Sequence, residues 1–202
     1  MSNLSVESAT VKWTRLPLGF LSGSGEDHWV VHRQIMSIFP ENLTEDTSET
    51  GRRAHSGILY RVHKPTYTDR GYILVQSSTL PETLPADART LTRELSYRQG
   101  QQVHFTVAVN PSRRSSRTGK TVERSLPSHQ VQGWIAEKLS PAMRVDSILD
   151  IDTARTRHGR HTINAHHISG YGTVTDPEAM RNLCLSGVGR SKSYGCGLLT
   201  TT

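Results

Sequence analysis

Two successive runs of strand, helix, strand, strand, helix, strand, a change-over near Gly100 and a length of 202 residues predict an α+β fold of two tandem ferredoxin-like (RRM-like) domains. In each such unit an antiparallel sheet carries both helices on one face. The predicted division is residues 1–100 and 101–202. A single irregular α+β domain is the alternative, because no residue-level repeat links the halves. Hydrophobic residues at 34% and aromatic residues at 6% are a lean composition, but one that supports a packed core.

The first run begins with a loosely alternating strand over Val11–Leu18 and a glycine- and serine-rich loop to Gly25. Asp27 caps a helix in which Val31, Ile35, Ile38 and Phe39 recur at three- and four-residue spacing, and Pro40 ends it. Glu41–Ser56 lacks periodicity and reads as an exposed loop. Ile58–His63 and Tyr72–Gln76 read as paired strands, Pro85–Thr90 as a short helix and Leu91–Tyr97 as the closing strand. In the second run Val103, Phe105, Val107 and Val109 alternate strictly, and a basic loop over Ser112–Arg124 follows. Val131–Leu139 is a helix with Val131, Trp134, Ile135 and Leu139 on one face. Met143–Ile151 and Thr162–Val174 are strands joined by a basic turn. A helix from Pro177 to about Leu185 and a strand over Cys196–Thr200 complete the round.

The balance of charge points to a polyanionic partner. Lys and Arg number 24 against 18 Asp and Glu, giving +6 and a pI near 9.6. Met1–Thr10 is polar, and no apolar segment of spanning length follows, so neither a signal peptide nor a membrane span is expected and a cytoplasmic location is. There the two cysteines, Cys184 and Cys196, are expected reduced and structural. The ten histidines form no HExxH pattern or paired Cys/His spacing, and adjacent His166 and His167 point to opposite faces of a strand; no metal or cofactor is expected. Gly119-Lys120-Thr121 lacks the earlier glycine of a P-loop, with Arg114 in its place.

The tail carries the most specific signal. Gly187-Val188-Gly189-Arg190-Ser191-Lys192-Ser193-Tyr194-Gly195-Cys196-Gly197 holds four glycines around two cations, Arg190 and Lys192. Glycines at Gly187 and Gly189 let backbone N–H groups converge on an anion, although a helix cap followed by a tight strand entry would also use a glycine. This tail, running on into Leu198-Leu199, resembles that of the CRISPR RNA endoribonuclease family CasE of type I-E Cascade. The likeness extends to the helix ending Ile38-Phe39-Pro40, the strand ending Val109-Asn110-Pro111 and the segment around Arg144-Val145.

That resemblance implies two ferredoxin-like domains that bind the hairpin of a CRISPR repeat and cut at its 3′ base. It also implies a catalytic histidine eight residues before the helix-ending proline, which falls on His32. On a helical wheel His32 lies about 60° from Ile35, at the border of the core. RNA supplies its own 2′-OH nucleophile, so one imidazole that titrates in the useful range and one cation near the phosphate, Lys192, suffice without a metal. Family members often carry a tyrosine one turn before the histidine; here Trp29 stands there and cannot exchange a proton, which leaves His28 as the nearest substitute.

Further RNA contacts are expected from Arg33 beside the histidine, from Arg190, and from two basic segments. Arg155 and Arg157 share a strand face, with Gly159 at the turn and Arg160 beyond; this is similar to the basic hairpin with which the family grips the repeat stem. Arg113, Arg114 and Arg117 lie in the second segment, with Lys120 and Arg124, where a solvated charged loop is equally compatible. The expected partners are repeat hairpin RNA and other Cascade subunits, with no membrane. A non-catalytic RNA-binding subunit of the same assembly, and a ferredoxin-like protein binding a small anion at the glycine loop, remain alternatives.

Overall fold

The computed structural model describes residues 8–21, 28–40, 57–65, 67, 70–117, 120–158 and 161–202. The expected loop Glu41–Ser56, the cap Asp27, Gly159 and Arg160 lie outside them, as do the side chains of His28, Arg114, Arg117, Lys120, Arg124 and Arg157.

Strands β1 (Ala9–Pro17), β2 (Leu59–His63), β3 (Tyr72–Ser77) and β4 (Arg89–Leu95) form one antiparallel sheet in the order β2-β3-β1-β4, and helix α1 (His28–Met36) packs on it. The second sheet has the order β10-β5-β9-β8. Its strands are β5 (Gln102–Val109), β8 (Met143–His158), β9 (His161–Val174) and β10 (Leu199–Thr201), accompanied by helices α2 (Val131–Leu139) and α3 (Pro177–Ser186). In both sheets the first strand lies between the last and the third, with the second at the far edge. That is the ferredoxin-like arrangement, twice.

Alternation explains the layers. Leu16, Tyr60, Ile73 and Val75 of the first sheet meet Val31, Ile35, Ile38 and Phe39 in one core. Val103, Phe105, Val107 and Val109 meet Trp134, Ile135, Leu139, Met180 and Cys184 in another. Val11, Leu95 and Tyr97 join this second core, so the far face of the first sheet rests partly on α3 and β10. Hydrogen bonds pin that seam: Trp13 Nε1 donates to Gln76 Oε1 at 3.1 Å, and Gln76 Nε2 donates to the Cys184 carbonyl at 2.8 Å.

Three expectations differ from the structure. Pro85–Thr90 is not a helix: Ala88 N–H closes a turn on Pro85 O, and β4 has already begun at Arg89, paired with Arg15. The run is too short to nucleate a helix, and pairing with β1 captures its end. Ser112–Arg124 is not a loop but a two-stranded ribbon, β6 (Ser112–Arg117) against β7 (Lys120–Ser125). Here ladder bonding overrides a sequence with little apolar alternation. The last strand starts at Leu199 instead of Cys196, because the preceding glycines form a closed turn. Among the described residues no helix is long and apolar enough to cross a membrane.

Candidate active site

His32 sits on α1 beside the core-facing Val31 and Ile35, and it is more buried than its place on the wheel suggested, with 2% of its surface exposed. The neighbour that closes over it is Tyr60 of β2, itself fully buried. Its ring lies 6.4 Å from the imidazole at 20°, and its hydroxyl donates to the Ser193 carbonyl at 2.8 Å. Tyr60 therefore joins the helix to the glycine-rich tail. Sequence reading placed it only as a strand residue; its signal was a tyrosine on the core face of β2, where a buried hydroxyl needs a partner. Trp29, one turn before His32, is 37% exposed with its ring 6.4 Å from the imidazole.

The tail folds as a compact turn between α3 and β10. Asp176 caps α3 by accepting from Glu178 N and Ala179 N, Pro177 opens the helix, and Gly187 ends it at φ 77°. A short 3-10 turn over Lys192–Tyr194 then packs against α1. Gly195, at φ 76°, is required twice over: its backbone is left-handed, and a Cβ there would stand 3.0 Å from the Tyr60 ring. The helix bearing His32 and the turn bearing Lys192 thus meet, with Tyr60 between them.

Two details modify the expected phosphate cradle. The Lys192 ammonium donates to the Ser186 carbonyl at the C-terminus of α3, where the helix dipole favours a cation. The N–H groups of Gly187, Val188, Tyr194, Gly195, Cys196 and Gly197 are all bonded to carbonyls within the protein, so much of the expected nest holds the turn itself. Arg190 is exposed on the segment before the turn, beside Gly189.

The other candidates lie outward. Arg33 is exposed in the last turn of α1. Arg155 is exposed on β8, which also touches α1, and its register partner Asn164 donates to Ser125 Oγ at 3.1 Å. That bond fastens the base of the β6–β7 ribbon to the long β8–β9 hairpin, so the two cation-rich ribbons meet at that point. Within β6–β7, Arg113 faces Arg124 and Arg117 faces Lys120. Arg113 is exposed at the start of β6.

A different cation lies apart from this site. Arg61 of β2 is 3% exposed; its Nε donates to His63 Nε2 and its Nη2 to Thr200 Oγ1, each at 3.1 Å, while Nη1 has no partner. Burial lowers its pKa to about 10. Among the described residues no cluster of three or more His, Cys, Asp or Glu side chains is placed to hold a metal ion. His166 and His167 do alternate on β9: His166 is buried and bonded to Thr153 Oγ1 at 3.1 Å, His167 is half-buried, and desolvation lowers the pKa of both. Cys184 and Cys196 are free and buried, and burial pushes their thiols up to about 11 and about 12.

Comparison with known proteins places this geometry. A family model described as CRISPR associated protein matches residues 9–202. The CRISPR system Cascade subunit CasE of Escherichia coli K12 is 23% identical over 193 residues, covering 86% of this chain and 91% of that protein. A CRISPR endoribonuclease Cse3 bound to a 19-nucleotide RNA superposes with a TM-score of 0.72 at 23% identity, covering 96% of this chain and all of the other. A Thermus thermophilus Cse3 bound to an RNA representing a pre-cleavage complex gives 0.69 at 22% identity, with the same coverage. These likenesses bear out the fold of two ferredoxin-like domains.

Proposed function

The chain belongs to the CRISPR-associated protein family, and from that membership we propose that it is a metal-independent endoribonuclease that binds the stem-loop of CRISPR repeat RNA, cuts at the 3′ base of the hairpin and keeps its product within a Cascade assembly. The relatives named above are a Cascade subunit and endoribonucleases bound to RNA. The observation that carries the reading is the packing of the His32 helix on the Lys192–Tyr194 turn.

The chemistry follows from the substrate. The 2′-OH attacks the adjacent phosphorus in line, the 5′-oxygen leaves, and a 2′,3′-cyclic phosphate and a 5′-OH result. His32 moves the proton that this requires, taking it from the 2′-OH or giving it to the leaving oxygen. Lys192, released from the Ser186 carbonyl, and exposed Arg190 balance the charge that grows on the phosphate. Because His32 is buried in the free protein, RNA entry must part α1 from the turn before the imidazole reaches its atom; catalytic contacts commonly tighten only in the complex. The two basic ribbons grip the stem. Residues 1–100 would then carry the reactive imidazole and residues 101–202 the RNA-binding elements.

The test is a labelled repeat hairpin incubated with the protein in excess EDTA. Cutting to a fragment with a 5′-OH is expected, and a requirement for added divalent metal overturns the mechanism. The burial of His32 and the presence of Trp29 favour a second reading, a non-catalytic RNA-binding subunit. It predicts tight binding without product under every condition, so a cut substrate excludes it.

A further inference from the structure

A groove of about 390 Å³ opens beside the glycine turn, lined by Asn110, Ser112, Trp134, Lys138, Gly189 and Arg190. These residues come from the end of β5, the start of β6, α2 and the tail, so the groove joins the foot of one basic ribbon to the turn that packs on α1. Of its lining, the reaction just described uses Arg190 alone.

Its lining combines three kinds of group. The edge of Trp134, 6% exposed, is the apolar wall, and Gly189 packs closely on its indole: a Cβ at this position, where φ is 71°, would stand 3.0 Å from the ring. Lys138, whose ammonium is 5.7 Å from the Trp134 ring centre, and exposed Arg190 bring positive charge to the rim. Asn110 supplies the polar group. It is 8% exposed, its Nδ2 donates to Ser191 Oγ at 2.9 Å, and its Oδ1 is buried with no hydrogen bond. A buried acceptor left without a donor is costly, and an amide with one end anchored and the other open can recognise a donor on a ligand. The volume is near the lower end of the roughly 300–1,000 Å³ of small-ligand sites, room for one nucleotide and not for a paired stem.

We propose that this groove is a subsite for a single unpaired nucleotide of the RNA, its base lying along Trp134, its amino edge donating to Asn110 Oδ1 and its phosphate between Lys138 and Arg190. The inference rests on the RNA-processing reading above and adds to it a base-selective contact next to the cut. Adenine, cytosine and guanine carry an amino group of the kind the site asks for; uracil does not.

The experiment couples lesions in the RNA to changes in the protein. Repeat hairpins are made with one abasic position at a time among the unpaired nucleotides flanking the stem, and their affinities are measured for the wild-type chain and for Asn110→Leu, which keeps the size of the side chain but removes the acceptor. One abasic position is expected to weaken wild-type binding by about tenfold and Asn110→Leu binding by less than about twofold, because in the variant the contact is already lost. Lys138→Gln, on an exposed position, is measured in parallel and is expected to show the same coupling at the same nucleotide, smaller in size, whatever Asn110→Leu does to folding. Equal losses in all three proteins at every position overturn the subsite. If the intact hairpin is bound and cut normally while no lesion couples, only this inference falls; if the wild-type chain does not bind the hairpin, the RNA reading falls with it.

Discussion

The two ferredoxin-like units share a strand order and differ in what is attached to it. In the first, the described strands run from five to nine residues, and its far face is partly covered by α3 and β10. In the second, β8 and β9 run to 16 and 14 residues, the β6–β7 ribbon is inserted after the first strand, and a glycine-rich turn separates the last helix from the last strand. The additions to the second unit are rich in cations, of which Arg113, Arg155 and Arg190 are exposed, whereas the distinctive polar groups of the first, His32, Tyr60 and Arg61, are buried. The topology is a scaffold; on the proposed function, one copy would carry the reactive imidazole and the other would carry Lys192 and the RNA grip.

Substitutions should therefore separate rate from affinity according to whether they fall at the seam of His32, Tyr60 and Lys192 or on the basic ribbons. The largest expected effect is His32→Ala, which should lower single-turnover cutting by about a hundredfold to ten-thousandfold while hairpin affinity changes by less than about twofold. A parallel loss of affinity would break the division of labour. On the other side, replacing Arg113 and Arg155 together by Glu should weaken hairpin binding by at least about tenfold at low salt and flatten its salt dependence, with the rate at saturating protein unchanged.

Tyr60→Phe sharpens the comparison at the seam. It keeps the ring against His32 and removes only the hydrogen bond to Ser193. A rate loss of about tenfold at unchanged Kd marks Tyr60 as a positioning residue, whereas equal changes in thermal stability and rate would mark it as purely structural. The smallest effect concerns the thiols. Both folded-state values lie above the ordinary cysteine value of 9.0, so the unfolded chain loses these protons first; their contribution to stability is complete below about pH 9 and declines as pH rises toward 11 and 12. Cys196→Ala should flatten that decline in denaturant titrations.

The sequence displayed the parts of the fold whose pattern is set locally. Alternation in Val103–Val109 and helical spacing in Val131–Leu139 reappear as β5 and α2. What it hid depends on pairing between distant segments. Arg89 and Thr90 join a strand because β1 lies beside them, and Ser112–Ser125 forms a ribbon by backbone bonds that its polar side chains do not advertise. The site was partly legible in the same sense. The glycine and cation spacing of the tail and the place of His32 before Pro40 could be read, and the structure brings their elements together. The burial of His32 could not be read from its own helix, since a strand residue 28 positions later, Tyr60, covers it. Arg61 was equally silent: an arginine in an alternating strand looks solvent-facing until a second sheet is placed over it.

The central claim is that His32 and Lys192 act on one phosphate. Its most direct test is a cycle of single-turnover rates for the wild type, His32→Ala, Lys192→Gln and the double variant on the same saturated hairpin. If the claim holds, the double variant is scarcely slower than His32→Ala alone, since residues acting as a unit are non-additive. Losses that multiply independently, or a Lys192→Gln chain that cuts at the wild-type rate, contradict it.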